Sequence, residues 1–324
     1  MRSLMMVVVV AMLTGCTVGT GSVVRDTLRF WPSTKAQGWK KIVTPEFELL
    51  TDLDTPEAQR AASLIAQSLA GLNAMFARAP VAGPVKVTVI AMRDGMDFER
   101  RFSGRVGGFA VSTDSSVTLV LYGTPDKWFV RQEATFDATE SVVNHELAHA
   151  VLRRYFTEQN KWFAEGMAEY LETFRWLDAE TVQLGDPNLS AYRAYRAIRS
   201  LSVKEVLAWD SYTDKRDLEL AGYYGLAWAF VHYLRNKEPQ ALGKYMADLA
   251  RSGPRIADQL LVNHREDEFD KAIFAYMKAG SYQQFTLKVP LPPQAETSVE
   301  AMSSSEREAV EATLQSYENS FRRK

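Results

Sequence analysis

Residues 142–149 read V-V-N-H-E-L-A-H, and the organisation of the chain follows from how this stretch folds. Val142, Val143, Leu147 and Ala148, continued by Val151 and Leu152, predict a helix buried in apolar surroundings. In a helix, His145 and His149 lie one turn apart on the same face. Two imidazoles so placed can reach one small cation. Glu146, one step round from His145, can lean over a water held by that cation and take its proton. The competing reading is a core helix that carries two incidental histidines. The whole chain has four, His145, His149, His232 and His264, so the spacing is a specific signal, but a third ligand has to be found.

A Gly three residues and a His six residues after His149 would mark the metzincins; Leu152 and Tyr155 stand there, which excludes that class. A polar turn at 157–161 leads into W-F-A-E-G-M-A-E-Y, residues 162–170. Glu165 and Glu169 share a helix face, which suits one carboxylate on the metal and the other orienting an imidazole N–H. Glu158 and Glu172 are weaker candidates for the third ligand, and a solvated acid in a first helical turn is the bland reading of Glu165. H-E-L-A-H followed by E-G-M-A-E-Y resembles the gluzincin metallopeptidases, in particular their bacterial peptidase MA-like relatives. The 16-residue step from His149 to Glu165 is slightly shorter than in the aminopeptidase members.

That resemblance implies one zinc ion held by His145, His149 and Glu165, with Glu146 as general base in the hydrolysis of a peptide or protein substrate. It also implies a tyrosine that hydrogen-bonds the oxyanion. In G-Y-Y-G-L-A-W-A-F-V-H-Y-L, residues 222–234, this falls on Tyr224, with Tyr223 as the alternative. His232, in the same stretch, reads as a packing or surface residue. The strand pair before the metal helix would line the cleft, and Gly107 and Gly108 would let an extended chain approach; a glycine bulge in an ordinary sheet is the alternative.

The chain opens with Arg2, an apolar run over 4–13, then L-T-G-C ending at Cys16, the sole cysteine. This resembles a bacterial lipoprotein signal and implies cleavage before Cys16, lipidation there, and a periplasm-facing envelope protein. Thr17 in place of aspartate favours the outer membrane. No later run is long enough to span a bilayer, so the lipid is the expected membrane contact. With 40 acidic against 38 basic residues, the composition offers no electrostatic footprint for nucleic acid.

The expected fold is α+β: a small, mostly antiparallel sheet, the metal helices against it, and a helical subdomain closing the cleft. The expected divisions are a leader over 1–15, a lipidated tether over 16–38, and a metallopeptidase-like domain over 39–287. Within that domain the sheet occupies 39–135, the metal helices 136–177 and the helical part 178–287. A proline-rich linker and terminal helix fill 288–324, the helix opened by a capping box at Ser305 and Glu308. Thr55, Pro56 and Glu57 predict an earlier helix start. Arg193, Arg196 and Arg199 form a basic stripe, a solvated face by default or a clamp for a substrate carboxylate. Two other function classes compete: an inactive metal-binding envelope lipoprotein serving as a binding or scaffold module, and a lipid-anchored scaffold with no metal.

Overall fold

Alternating β-branched residues build a mixed sheet whose first strands are β1 (Val7–Val9), β2 (Lys40–Val43), β3 (Phe47–Thr51), β4 (Lys86–Met92), β5 (Gly108–Ser112) and β6 (Ser116–Tyr122). The computed structural model describes residues 7–9, 38–76, 85–102, 108–113, 116–131, 139–198, 200–210, 217–289 and 298–322. Cys16, Gly107 and Arg199 lie outside them, as do the prolines at 290, 292 and 293.

The fold is α+β, as expected, and the strand order is β1-β5-β6-β4-β3-β2, with Glu300–Ala301 added outside β2. The outer pairings are antiparallel, but β3 with β4 and β4 with β6 run parallel at the centre. The reason is the crossover helix α1 (Thr55–Ala74), which carries the chain from the end of β3 back to the start of β4. Asp54, not Thr55, caps that helix, its carboxylate accepting from the Glu57 N–H at 3.0 Å. Helix α2 (Gly95–Phe102) fills the segment between β4 and β5. Val7–Val9 lies within the stretch read as a leader, antiparallel to β5.

Two short strands, β7 (Phe129–Arg131) and β8 (Thr139–Ser141), lead into helix α3 (Val142–Tyr155), and a brief turn joins it to α4 (Lys161–Glu172). Next comes a hairpin, β9 (Arg175–Asp178) with β10 (Thr181–Leu184), across the boundary between the segments expected to hold the metal helices and the helical part. Helices α5 (Leu189–Ala197), α6 (Val203–Leu207), α7 (Asp217–Lys237), α8 (Pro239–Ser252), α9 (Pro254–Val262) and α10 (Glu266–Ala279) make up the helical part. Strand β11 (Phe285–Lys288) then returns to pair with β10.

The chain ends with β12 (Glu300–Ala301) and α11 (Ser304–Arg322). Its capping box is Ser303 with Glu306, two residues earlier than the sequence pattern suggests. Val310 and Leu314 of α11 pack with Phe98, Phe102 and Phe109 on one sheet face, and the Phe321 ring sits 5.1 Å from that of Phe109. The main core occupies the other face, under α1 and α3. Among the described residues no helix is long and apolar enough to cross a membrane.

Helices α4 and α7 touch at Gly166, where an added Cβ would lie 2.5 Å from the Ala227 carbonyl oxygen. A backbone atom cannot swing aside, so Gly166→Ala is expected to destabilise the fold by about 1–3 kcal/mol. A lowered urea midpoint with unchanged slope is the check.

Candidate metal centre

Helix α3 begins where the Ser141 hydroxyl accepts from the Asn144 N–H at 3.2 Å, and it is buried along almost its whole length. The next helix is pinned at its start by Asp258 of α9, whose carboxylate takes the Trp162 indole N–H at 3.0 Å and the Asn160 amide. Each of the two helices thus starts at a fixed point. Asn144 ties them together near His145: its side-chain oxygen accepts from the Ser68 hydroxyl of α1 at 2.8 Å, and its amide donates to the Phe174 carbonyl at 3.3 Å.

Three donors converge between the helices. Glu165 Oε2 lies 3.5 Å from His145 Nε2 and 3.5 Å from His149 Nε2, and all three side chains are buried. A tetrahedral ion with bonds of about 2.0–2.2 Å sets its ligands roughly 3.3–3.6 Å apart, so the observed spacings fit one. Both Nε2 atoms are buried with no hydrogen-bond partner among the described residues. His145, His149 and Glu165 can therefore hold a metal ion. Glu165 lies in the second turn of α4 and is wholly buried, which disposes of the solvated-acid reading.

The carboxylate that orients His145 is Glu172, not Glu169. Glu172 Oε2 lies 3.3 Å from His145 Nδ1, whereas Glu169 Oε2 accepts from the Asn188 amide at 2.7 Å. A step of seven residues from Glu165 returns to within about 20° of the same face, closer than the roughly 40° left by a step of four. Asn188 also donates to Glu172 at 3.2 Å and caps α5 through Ala191 N–H, so it braces both carboxylates. Glu140, just before α3, accepts from the Ser190 backbone and hydroxyl and locks that capped end to β8. Asn188 and Glu140 escape the sequence reading because capping residues and strand-end acids are common without function. The signal that could have found Glu172 is its seven-residue spacing from Glu165.

The electrostatics are those of a site crowded with buried carboxylates. Burial alone would pull His145 down, yet the buried carboxylates of Glu165 and Glu172 on either side of its ring hold it well above 6.5. Burial would raise Glu165, but His149 and His145 draw it down to about 2. On His145 the proton takes a place for which a cation would compete. Glu146 is wholly buried, neither of its oxygens has a hydrogen-bond partner among the described residues, and burial raises it to about 8.

Tyr223 and Tyr224 are buried on α7 with rings 5.4 Å and 5.3 Å from Trp209, four and three residues before the Ala227 that meets α4. His232 is a packing residue. Its Nδ1 lies 2.8 Å from the Tyr276 hydroxyl, and burial lowers it to about 4. Glu158 stands in the turn before α4, and His264 follows α9 in a left-handed conformation, φ 64°.

Fold and site together define an α+β protein with a buried two-histidine, one-carboxylate centre. The family described as "Protein of unknown function (DUF1570)" matches residues 139–255, a segment that holds all three donors and Glu146. No curated protein matches the chain.

Proposed function

We propose that the chain is a zinc-dependent peptidase of the gluzincin type, acting on peptides or proteins in the bacterial envelope and anchored through lipid on Cys16. The observation that carries this reading is the convergence of two imidazoles and one carboxylate at 3.5 Å spacings beside Glu146, whose buried oxygens have no hydrogen-bond partner among the described residues. Two nitrogens and one oxygen are a donor set suited to zinc, with a fourth position left open for chemistry. A bound zinc acidifies a water and polarises a substrate carbonyl.

The chain's own residues do the rest. Glu146 accepts the water's proton and passes it to the leaving amine, which is why its carboxylate is kept away from competing donors. Glu172 fixes the His145 ring through Nδ1, which leaves Nε2 turned toward Glu165, where it would serve as a ligand. Tyr224 is assigned to the carbonyl oxygen as charge builds on it. Support for the anchor comes from L-T-G-C closing the apolar run, and Thr17 favours the outer membrane.

The direct test is metal stoichiometry of the purified protein together with cleavage of a peptide library. Stoichiometric zinc with no cleavage would favour the inactive binding module. Absence of bound metal would remove both readings.

The outer carboxylates give a finer test. Glu172→Gln is expected to weaken zinc by about 10–100-fold, as losses of a ring-orienting partner do, and Glu169→Gln by less. Competition with a chelator measures both, and a larger loss at Glu169 would reverse the roles of the two carboxylates.

A pH dependence follows from Glu146. Its folded pKa of about 8 lies above the ordinary 4.5, so its contribution to stability is fully present below pH 4.5 and is lost as pH rises through 8. Glutamine mimics the protonated form at every pH. In chelator-treated protein, Glu146→Gln is expected to match the wild type near pH 4.5 and to exceed its thermal midpoint increasingly up to about pH 8. An equal difference at both ends would mean that water reaches the carboxylate.

A further inference from the structure

A cavity lies away from the metal centre, at the opposite end of α5 from Asn188. Its volume is about 610 Å³, within the size range of about 300–1,000 Å³ typical of small-molecule sites. The floor is aliphatic: Leu226 of α7 and Ile273 and Met277 of α10 are buried beneath it. Phe274, at 53 % exposure, stands in the wall as a large apolar side chain with half its surface in solvent.

Two cations flank this floor. Arg196 lies 5.7 Å from the centre of the Tyr192 ring, and Lys278 closes α10; neither has a carboxylate partner among the described residues. The one acid in the lining, Asp270, accepts from the Val203 N–H at 2.8 Å and so holds the start of α6. The cavity therefore joins an apolar floor to a net positive lining.

Its walls are mainly helical, with backbone groups already bonded within their helices, and Ser202 is engaged with Glu205 in a capping box. A peptide backbone laid along such walls would bury N–H and C=O groups without partners. An alkyl chain has no such groups. We propose that this cavity binds an aliphatic-chain carboxylate, the chain on Leu226, Ile273 and Met277 and the carboxylate against Arg196 and Lys278.

Decanoate titrated calorimetrically into the full chain tests the proposal, with decanol as the uncharged control and the tripeptide Ala-Ala-Leu as the peptide alternative. The expected result is saturable one-to-one binding of decanoate. The double variant Arg196→Ala, Lys278→Ala should weaken it about tenfold, the scale of two partly solvated charge-assisted contacts, and leave decanol affinity unchanged. Both side chains are exposed, so the fold should survive, and an unchanged thermal midpoint confirms it. The proposal is overturned by three results: no saturable decanoate binding below its micelle concentration, equal decanoate affinity in the double variant, or tighter binding of the tripeptide than of decanoate.

Discussion

Glu146→Gln is expected to lower peptide hydrolysis by about 10²–10⁴-fold, the usual contribution of a positioned general base, while bound metal stays at wild-type stoichiometry. The carboxamide has nearly the shape of the carboxylate, so the buried pocket of α3 need not rearrange. It cannot accept the proton. Neither Glu146 oxygen takes part in the convergence of His145, His149 and Glu165, so the metal loses no ligand. Activity assays and metal analysis on the same sample decide the matter, and retained activity or lost metal would remove Glu146 from the role of base.

Glu165→Ala should have the larger effect on the metal itself. Its Oε2 lies 3.5 Å from each of the two imidazole nitrogens, and without it two histidines remain on a single helix face. Zinc affinity is then expected to fall well beyond the ~100-fold that marks loss of an outer partner. Chelator competition would rank Glu165→Ala far below Glu172→Gln. Comparable losses in the two variants would show that the centre is held by another set of side chains.

The parts of this site legible in the sequence are those in which residue spacing and helical period coincide. His145, Glu146 and His149 stand at a spacing that only a helix turns into one face and one flank. Glu165 follows because the run after it is helical to Glu172. The choice between Glu169 and Glu172 is different in kind. Both steps return near the same face, and the rotation of α4 that decides between them is set by its contact with α7 at Gly166, about sixty residues downstream, which no local pattern reports. The β9–β10 hairpin is hidden because strands of four residues show too little alternation beside Gly185-Asp186-Pro187. The terminal capping box is displaced because the S-S-S-E-R-E run offers the pattern in two frames, at Ser303 and at Ser305; Ser303 is the one followed directly by the helix. Strand order in the sheet is a property of distant pairings, so its parallel centre leaves no mark in any single segment.

The packing of residues 300–322 on the sheet has a consequence for exposed surface. Strand β12 zips onto β2, Glu306 bonds Lys41 at 2.8 Å, and Tyr317 and Phe321 cover Phe109. Strand β2 is thus flanked by β12 and held to α11 through Lys41. Without that helix, the aromatic layer of Phe98, Phe102 and Phe109 would lose its cover, and exposed apolar surface of this kind invites association with other chains. A chain clipped shortly before Ser304 would keep the residues of its metal helices and lose the cover over this aromatic layer.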